Sequence, residues 1–243
     1  MISRKGIILA GGLGTRLYPA TSVISKQLLP IYDKPTIYYA LATLMLSYIK
    51  DIIIISTPKD LPFFTKLLQD GKKFGINICY AEQKDPRGLA EALIIAERFL
   101  NQQPSCMILG DNLFYGGGLS GLLKTACIEN KATIFTYQVS EPSRYGILSI
   151  DKDGTPLSVD EKPKKPKSNL AITGLYFYDN NVIKYALSLK PSKRNELEIS
   201  DINRIYLSKK KLSVKKLGSG VVWLDAGTFI SLLQLLKSQV IHW

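Results

Sequence analysis

The most informative stretch of the chain lies near its start and reads Gly6-Ile7-Ile8-Leu9-Ala10-Gly11-Gly12-Leu13-Gly14-Thr15-Arg16-Leu17. An apolar run that ends in three glycines predicts a buried strand, followed by a loop whose backbone N–H groups can approach an anion. Arg16 and the nearby Lys26 add positive charge, which favours a polyphosphate. The loop has no Gly-Lys-Ser/Thr as in a Walker loop, and Leu17 stands where a dinucleotide fingerprint has a small residue. The glycines alone would also fit a tight turn.

Short apolar runs alternate with helical patterns over the first half of the chain. Predicted strands cover residues 5–9, 52–56, 76–80, 106–109 and 133–139, and predicted helices cover 36–49, 61–68, 89–100 and 119–129. This alternation predicts an α/β, Rossmann-like fold with a mostly parallel central sheet flanked by helices. A ligand site is then expected at the carboxyl ends of the strands. Pro35 is expected in the first turn of the helix that follows it.

From Tyr145 onward, strands joined by turns replace the regular alternation. Predicted strands cover 146–150, 157–159, 171–178, 212–217 and 221–224, and predicted helices cover 180–188, 199–208 and the stretch from 228 toward 240. No repeat or low-complexity linker divides the 243 residues. We therefore expect one domain with a single large core.

Composition excludes several kinds of site. The only histidine is His242, so a catalytic triad or a histidine-rich zinc site in the core is excluded. Cys79, Cys106 and Cys127 form no Cys-x-x-Cys pair, which predicts buried free thiols in a reducing cytoplasm. The apolar run 37–49 is too short to span a bilayer and is expected to be a buried helix.

A formal net charge of +12 raises the alternative of a nucleic-acid-binding protein. The lysines cluster only at 162–167 and 209–216. Pro163 and Pro166 interrupt the first cluster as in a solvated loop, and the second lacks the interleaved aromatic residues that stack on bases. Nucleic acid is therefore not the expected partner, although a non-catalytic nucleotide- or nucleic-acid-binding module stays open as an alternative.

The segment 7–30, which includes Lys26-Gln27-Leu28-Leu29-Pro30, resembles the signature of the sugar-1-phosphate nucleotidyltransferases. The likeness continues in family order over nearly the whole chain, through Tyr32-Asp33-Lys34-Pro35, Leu109-Gly110-Asp111-Asn112, Arg144-Tyr145-Gly146, Glu161-Lys162-Pro163, Thr173-Gly174-Leu175-Tyr176-Phe177-Tyr178-Asp179, Glu196-Leu197-Glu198-Ile199 and Trp223-Leu224-Asp225-Ala226-Gly227-Thr228. The sequence most resembles the members of this family that act on dTTP and glucose 1-phosphate.

This resemblance implies Mg²⁺-dependent transfer of a nucleotidyl group from dTTP to α-D-glucose 1-phosphate, which gives dTDP-glucose and pyrophosphate. The reaction would be the first step toward dTDP-deoxysugars such as dTDP-rhamnose, in a cytoplasmic homo-oligomer, a dimer or a tetramer. A pyrophosphorylase that uses UTP or another sugar phosphate is the alternative within the class. The implied organisation is a single domain at 1–243 that contains a sugar-binding insertion. It comprises a nucleotide-binding half at 1–140, a sugar-phosphate-binding part at 141–228 and a C-terminal helix at 229–243, which is shortened relative to longer family members.

The resemblance also assigns roles to individual residues. Implied catalytic residues are Arg16, Lys26 and Lys162; implied nucleotide-binding residues are Leu9, Gly11, Gly12, Gly14, Thr15, Gln27, Gln83 and Gly88; implied sugar-phosphate-binding residues are Asn112, Gly146, Glu161 and Thr173. Asp111 and Asp225 each end an apolar strand pattern. By themselves they could be turn formers or helix caps, and the resemblance assigns Mg²⁺ binding to both.

Gln83 is the expected reader of the base, because an amide can donate and accept at once, as the edge of thymine or uracil requires. The sequence departs from the family at Glu91, where an amide is usual, and also at Asp160, Asn195 and Ala226. Longer thymidylyltransferases continue past the position of Trp243, so weak inhibition by a dTDP-deoxysugar is expected. The final apolar pattern, which comprises Phe229, Leu232, Leu233, Leu235 and Leu236, is expected either to pack on the domain or to form a subunit contact.

Overall fold

The computed structural model describes residues 3–129 and 131–240, with side chains up to residue 237. His242 lies outside the described residues. The strands are β1 (Lys5–Leu9), β2 (Pro30–Ile31), β3 (Lys34–Pro35), β4 (Asp51–Ser56), β5 (Asn77–Glu82), β6 (Ser105–Leu109), β7 (Asn112–Gly116), β8 (Ala132–Gln138), β9 (Gly146–Ile150), β10 (Pro156–Glu161), β11 (Leu170–Tyr178), β12 (Leu212–Lys216) and β13 (Val221–Asp225).

The α-helices are α1 (Ile37–Leu46), α2 (Leu61–Leu68), α3 (Glu91–Ile95), α4 (Glu97–Leu100), α5 (Leu119–Ile128), α6 (Val182–Leu187), α7 (Ile199–Ser208) and α8 (Phe229–Val240). Short 3₁₀ helices cover Thr15–Leu17, Lys26–Leu28, Lys72–Phe74 and Pro142–Arg144. None of the described helices is long and apolar enough to cross a lipid bilayer.

One nine-stranded sheet forms the centre of the molecule, in the order β10-β9-β11-β6-β1-β4-β5, with β8 attached to β11 and β12 attached to β8. Strands β6, β1, β4 and β5 run parallel to one another, as the strand–helix alternation predicts. The α/β fold with a mostly parallel central sheet is therefore confirmed. Beyond β6 the direction changes, because β11 pairs with β6 and β9 in antiparallel register.

The first strand is buried on both faces. Ile8 packs into a cluster with α1 and α5, whereas Ile7 and Leu9 pack into the cluster that contains α3 and α4. A parallel strand that is covered on both faces has a continuous run of apolar residues. This explains why residues 6–10 show little alternation between apolar and polar side chains. Burial of each such Ile or Leu side chain contributes about 1.5–3 kcal/mol to the free energy of folding.

Two local predictions are wrong. Pro35 lies in β3, where it pairs with Pro30 of β2, and the helix begins only at Ile37. The backbone N–H of Thr36 donates to the Leu29 carbonyl at 3.0 Å, so residues 29–36 form a small hairpin rather than a helical turn. The predicted helix over 89–100 is divided at Ala96 into α3 and α4.

The cysteines are free, but one is not where the sequence predicts. Cys106 is buried in β6 and Cys127 is partly buried, whereas Cys79 is exposed. Cys79 belongs to β5, which is the last strand of the sheet and is flanked by α2. Its neighbour Ile78 faces the core, so the alternation of the strand turns Cys79 toward solvent.

Helix α8 divides its apolar residues between two surroundings. Leu235 is buried with Ile31 of β2 and Ala226, and Leu232 is partly buried in the same cluster. Other apolar residues of this helix, namely Phe229, Ile230, Leu233 and Leu236, are exposed. One side of the final apolar pattern therefore packs on the domain, whereas a subunit contact through the exposed residues stays a prediction.

Candidate active site

A cavity of about 320 Å³ opens where β1, β5 and β6 end, at the carboxyl ends of the parallel strands. The predicted site residues that line it are Leu9, Gly11, Gly12, Arg16, Lys26, Gln83, Gly88, Asp111, Asn112, Gly146, Glu161, Lys162 and Asp225. They come from segments spread over more than two hundred positions. The fold therefore places in one cavity most of the residues to which the family resemblance assigns a role. The position of the cavity follows the rule for open α/β sheets.

Four predicted site residues do not line this cavity. Thr173 is fully buried, and its hydroxyl has no hydrogen-bond partner among the described residues. Its neighbours Ile172 and Gly174 line the cavity instead, because alternate residues of β11 face opposite sides. Gln27 is buried and accepts a hydrogen bond from the Ser25 hydroxyl at 2.5 Å. Gly14 and Thr15 also lie outside the lining.

The glycines after β1 make room for two functional side chains. A Cβ at Gly11 would lie 2.8 Å from Oε1 of Gln83, and a Cβ at Gly12 would lie 3.2 Å from Cε of Lys26. The loop itself is tied down, since the Thr21 hydroxyl donates to the Gly14 carbonyl at 2.8 Å. The glycines therefore let an amide and an ammonium group cross the loop at van der Waals distance.

Lys26 and Asp111 form an ion pair at the base of the cavity, and both side chains are largely buried. Burial alone would raise the pKa of the Asp111 carboxyl. The charge and hydrogen bond of Lys26, together with the amide of Asn112, outweigh this and hold the pKa below its usual value. Asp111 is therefore ionised at neutral pH.

Asp225 lies close to Asp111, since the backbone N–H of Ala226 donates to the Asp111 carbonyl at 2.8 Å. The Tyr145 hydroxyl donates to Oδ1 of Asp225 at 3.2 Å, and Nη2 of Arg144 lies 3.6 Å from Oδ2. Burial and then the nearby charge of Asp111 raise the pKa of the Asp225 carboxyl, despite the opposing effect of Arg144. Burial and the neighbouring Asp225 also raise the pKa of Tyr145, to about 12.

These two carboxylates fit a divalent cation that also binds substrate phosphates. Mg²⁺ is commonly held by one or two carboxylates, with substrate phosphates and water completing its shell. The electrostatic repulsion between Asp111 and Asp225 is what a cation between them would relieve. The described residues contain no cluster of three or more His, Cys, Asp or Glu arranged for a metal. A metal here would thus depend on the substrate for further ligands.

Asn112 connects the carboxylates to the other side of the cavity. Its amide nitrogen donates to Oδ1 of Asp111 at 3.0 Å. Its oxygen accepts hydrogen bonds from the backbone N–H of Gly174 at 3.1 Å and from Nε1 of Trp223 at 2.6 Å. The ring of Trp223 packs edge-on against Tyr145, with centroids 5.3 Å apart. These contacts fix the orientation of the amide next to the proposed metal-binding carboxylates.

The far side of the cavity carries an arginine among carboxylates. Nη2 of Arg194 lies 2.8 Å from Glu198, 3.3 Å from Glu196 and 3.4 Å from Glu161. The Ser200 hydroxyl donates to the other oxygen of Glu161 at 2.5 Å. This network combines hydrogen-bond acceptors for hydroxyl groups with a guanidinium suited to a phosphate.

Lys162 adjoins this network at the end of β10. Its φ angle is 42°, a left-handed conformation that is uncommon for a lysine, and its backbone N–H donates to the Tyr145 carbonyl at 3.0 Å. Its Nζ lies 3.8 Å from Glu161, and about half of the side chain is exposed. The backbone therefore turns Lys162 toward the cavity rather than along the lysine-rich loop that follows.

The sequence interpretation missed several lining residues, namely Arg144, Tyr145, Arg194, Glu196, Glu198, Ser200 and Trp223. Some signal was present, because Arg144-Tyr145-Gly146 and Glu196-Leu197-Glu198 are among the motifs that carry the resemblance. Only Gly146 of these was predicted as a site residue. Nothing in the local sequence distinguishes Arg194 from the other cations of the chain.

The loop beside Gln83 is joined to the segment that carries Arg194. The backbone N–H of Leu197 donates to the Arg87 carbonyl at 2.7 Å, and that of Ala90 donates to the Leu197 carbonyl at 3.1 Å. A Cβ at Gly88 would lie 2.4 Å from the Leu197 oxygen, and the φ of Gly88 is +104°. Only glycine permits this approach of the two segments.

A second cavity, of about 590 Å³, lies on the other side of Asp225. It shares Arg16, Arg144, Tyr145, Trp223 and Asp225 with the first cavity and extends between the end of β8 and the start of α8. It contains no glycine loop, and its acidic side chains are Glu141 and Asp225. The predicted site residues concentrate in the first cavity.

Comparison with known proteins agrees with this geometry. Residues 5–239 match the family described as nucleotidyl transferase. The chain is 54% identical over 233 residues to a glucose-1-phosphate thymidylyltransferase of Xanthomonas campestris pv. campestris strain B100, with 96% of this chain and 79% of the relative covered. It is also 54% identical over 229 residues to the enzyme of that name from Neisseria meningitidis strain Z2491, covering 94% and 80%.

A solved structure is similar over nearly the whole chain. It is a Bacillus anthracis protein crystallised with sucrose and provisionally given the same enzyme name, and it matches with a TM-score of 0.88 and 38% identity. The match covers 97% of this chain and 94% of that one. The family match over residues 5–239 includes every segment that contributes to the first cavity. The chain belongs to the nucleotidyl transferase family.

Proposed function

We propose that this protein transfers the thymidylyl group of dTTP to α-D-glucose 1-phosphate and releases pyrophosphate. One observation carries the proposal: Lys26, Asp111 and Asp225 lie in one cavity between the glycine loop and the Glu161–Lys162 edge. Two phosphorylated substrates placed on these two sides would meet at the carboxylates. The names of the relatives, at 54% identity, give the same pair of substrates.

The chemistry needs little proton transfer. An oxygen of the sugar phosphate attacks the α-phosphorus of dTTP, a P–O bond forms to the sugar phosphate, and the bond to the β-phosphate oxygen breaks. The attacking oxygen is already anionic, so no general base is required. Catalysis then consists of holding the reacting groups in line and neutralising charge.

The cations divide between the two substrates. Arg16 and Lys26, beside the glycine loop, are proposed to bind the triphosphate, with Arg16 stabilising the departing pyrophosphate. Lys162 and Arg194 are proposed to bind the phosphate of the sugar. Glu161, in contact with both of them, would accept hydrogen bonds from sugar hydroxyls, with Asn112 and Gly146 nearby.

Asp111 and Asp225 are proposed to hold Mg²⁺, which when bound neutralises phosphate charge during the transfer. The contribution of the chain is to present two carboxyl groups to one cavity. Lys26 keeps Asp111 charged, and Tyr145 together with Arg144 orients Asp225. These contacts support metal binding because they leave the carboxylates fixed before the substrates arrive.

The proposal extends to the organisation of the chain and its metabolic setting. Residues 1–140 would bind the nucleotide, 141–228 the sugar phosphate, and the proposed C-terminal helix at 229–243 extends over residues 241–243, which lie outside the described residues. The product would enter cytoplasmic synthesis of dTDP-deoxysugars such as dTDP-rhamnose. A homo-oligomer is supported by the exposed apolar residues of α8, since Ile230 is 73% and Leu233 is 53% exposed.

The test is release of pyrophosphate from a panel of substrates by the purified protein. Each of dTTP, UTP, dCTP and ATP is combined with glucose 1-phosphate, galactose 1-phosphate or mannose 1-phosphate, and the sugar nucleotide is identified by mass. We expect the highest kcat/KM with dTTP and glucose 1-phosphate, with UTP second. A higher value with UTP or another sugar phosphate would favour the alternative pyrophosphorylase. No release above a reaction without sugar phosphate would favour a non-catalytic nucleotide-binding module.

A further inference from the structure

The side-chain amide of Gln83 has both of its N–H groups engaged by the protein. Nε2 donates to Oε2 of Glu91 at 2.7 Å and to the carbonyl oxygen of Gly88 at 3.3 Å. The side chain is almost completely buried, and its backbone N–H donates to the Ser56 carbonyl at 2.8 Å. Hydrogen bonds therefore hold both the backbone and the side-chain amide of Gln83 in place.

These contacts determine which way the amide points. A carboxylate and a carbonyl both accept hydrogen bonds and cannot donate them. Because the two acceptors converge on one amide atom, that atom is the nitrogen, and the opposite atom is Oε1. A Cβ at Gly11 would lie 2.8 Å from this Oε1, which places the oxygen above the glycine loop in the cavity wall.

The described residues give Oε1 no hydrogen-bond donor, and Glu91 itself does not line the cavity. The sequence-based expectation that Gln83 both donates to and accepts from the base therefore needs revision. Both donors are used inside the protein, and only an acceptor remains for a ligand. A nucleobase that meets this atom must supply an N–H group.

We propose that Glu91 is a positioning residue that fixes the Gln83 amide as a hydrogen-bond acceptor. Through this contact Glu91 sets which pyrimidine bases the site accepts. This inference rests on the proposed function. Thymine and uracil carry a hydrogen on N3, which donates to Oε1. Cytosine carries a lone pair on N3, so two acceptors would face each other across the contact. The pair Gln83–Glu91 thus selects the N3–H class of pyrimidine and is indifferent to the 5-methyl group.

The Glu91 carboxylate excludes the flipped orientation of the Gln83 amide. An amide at position 91 could either accept from or donate to Gln83, so both orientations of the Gln83 side chain would keep a partner. A carboxylate leaves only one orientation satisfied, and a hydrogen bond to a charged acceptor is stronger than a neutral one. Glu91 is also the first residue of α3, where a negative charge is favoured by the helix dipole.

The test compares Glu91→Gln with the wild-type protein, using kcat/KM for dTTP, UTP and dCTP with glucose 1-phosphate. We expect the dTTP/dCTP ratio to fall by about fivefold to tenfold, which corresponds to weakening one orienting hydrogen bond. The dTTP/UTP ratio and the KM for glucose 1-phosphate are expected to stay unchanged, because both bases carry N3–H and the sugar side is untouched. Glu97→Gln, on the exposed side of the next helical segment, is the matched control.

A second variant and a binding measurement keep the outcomes distinct. Glu91→Met removes the acceptor at similar volume and is expected to lower the dTTP/dCTP ratio in the same direction. Equal losses for all three nucleotides, or an unchanged dTTP/dCTP ratio in both variants, would overturn the proposal. Affinities for dTTP and dCTP without sugar phosphate, measured by calorimetry, should show the same change in ratio. Wild-type protein that prefers dTTP in binding but forms no sugar nucleotide would refute the proposed function and leave this inference standing.

Discussion

The nucleotide side of the cavity is carried by the loops that follow the parallel strands β1, β5 and β6, whereas the sugar side is carried by the antiparallel strands β9, β10 and β11 and the segment before α7. On the nucleotide side, one ion pair, Lys26–Asp111, lies under a neutral loop of glycines. On the sugar side, Arg194 is shared among three carboxylates and Lys162 adjoins one of them.

One cavity can therefore bind two phosphorylated substrates through different chemistry on its two sides. The glycine loop offers backbone N–H groups and space, which suits a long polyanion. The sugar side offers carboxylates that can accept hydrogen bonds from hydroxyls, with cations close enough to compensate their charge. Substitutions at the carboxylates between the sides should therefore affect both substrates, whereas those on either side should affect one.

The largest effect is expected from Asp111→Asn and Asp225→Asn, at the boundary between the two sides. Each should lower kcat by about 10²-fold or more with Mg²⁺, because a charged ligand is lost and, at Asp111, Lys26 loses its partner. Steady-state pyrophosphate release measures this, with Asp153→Asn on the surface as the control. Near-normal turnover of either variant would remove that carboxylate from the proposed mechanism.

The sugar side is tested by Arg194→Ala and Lys162→Ala. Each is expected to raise the KM for glucose 1-phosphate by about 10-fold, while the KM for dTTP changes by less than about twofold. Arg16→Ala, on the nucleotide side, should instead lower kcat more than it raises the KM for dTTP. Lys193→Ala serves as control, because this exposed cation adjoins Arg194 without lining the cavity. A rise in both KM values for Arg194→Ala would break the division into two sides.

The junction of the two sides is tested by Gly88→Ala. Its new Cβ would lie 2.4 Å from the Leu197 oxygen at a φ of +104°, so the Gly88 and Leu197 segments must separate. We expect the free energy of unfolding to fall by about 2–4 kcal/mol and both substrates to bind more weakly.

The matched control is Gly154→Ala, which has a φ of +83° but open space around its Cβ. It should lose only about 1 kcal/mol of stability from backbone strain. Equal losses in the two variants, measured by denaturant unfolding, would show that the contact with Leu197 is unimportant.

The smallest effect is expected from Tyr145→Phe. The variant loses the hydrogen bond to Asp225 but keeps the edge-on packing against Trp223. Removing one such orienting bond should lower kcat by about fivefold to tenfold with little change in the KM for glucose 1-phosphate. Because the Tyr145 pKa is raised to about 12, the loss should be the same at pH 7 and pH 9. A loss seen only at the higher pH would contradict an orienting role.

The two sides also differ in how well the sequence predicts them. The β1 strand and its loop could be read directly, because consecutive apolar residues and glycines act on their own backbone. The same holds for α7, whose predicted bounds of 199–208 agree with the structure. The carboxyl ends of parallel strands meet at one edge, so Asp111 could be placed near the glycine loop without coordinates.

The sugar side depends on contacts that local patterns do not encode. Thr173 was expected at the site, but which face of β11 meets the cavity depends on the pairing of that strand. Arg194 is one of 32 lysines and arginines, and only the fold shows that it reaches Glu161. The prediction that Cys79 is buried was wrong for a related reason, because the local sequence does not indicate that β5 lies at the edge of the sheet.

The most direct measurement is a crystal structure of the protein with dTDP-glucose and Mg²⁺. We expect the thymine ring to lie against Gln83 and Gly88, with N3 within hydrogen-bond distance of Oε1. We expect the glucose ring to lie against Glu161 and Asn112, with the metal between Asp111 and Asp225. Density for the glucose or the base in the second cavity, between Val139 and Gln234, would contradict the division of the first cavity into a nucleotide side and a sugar side.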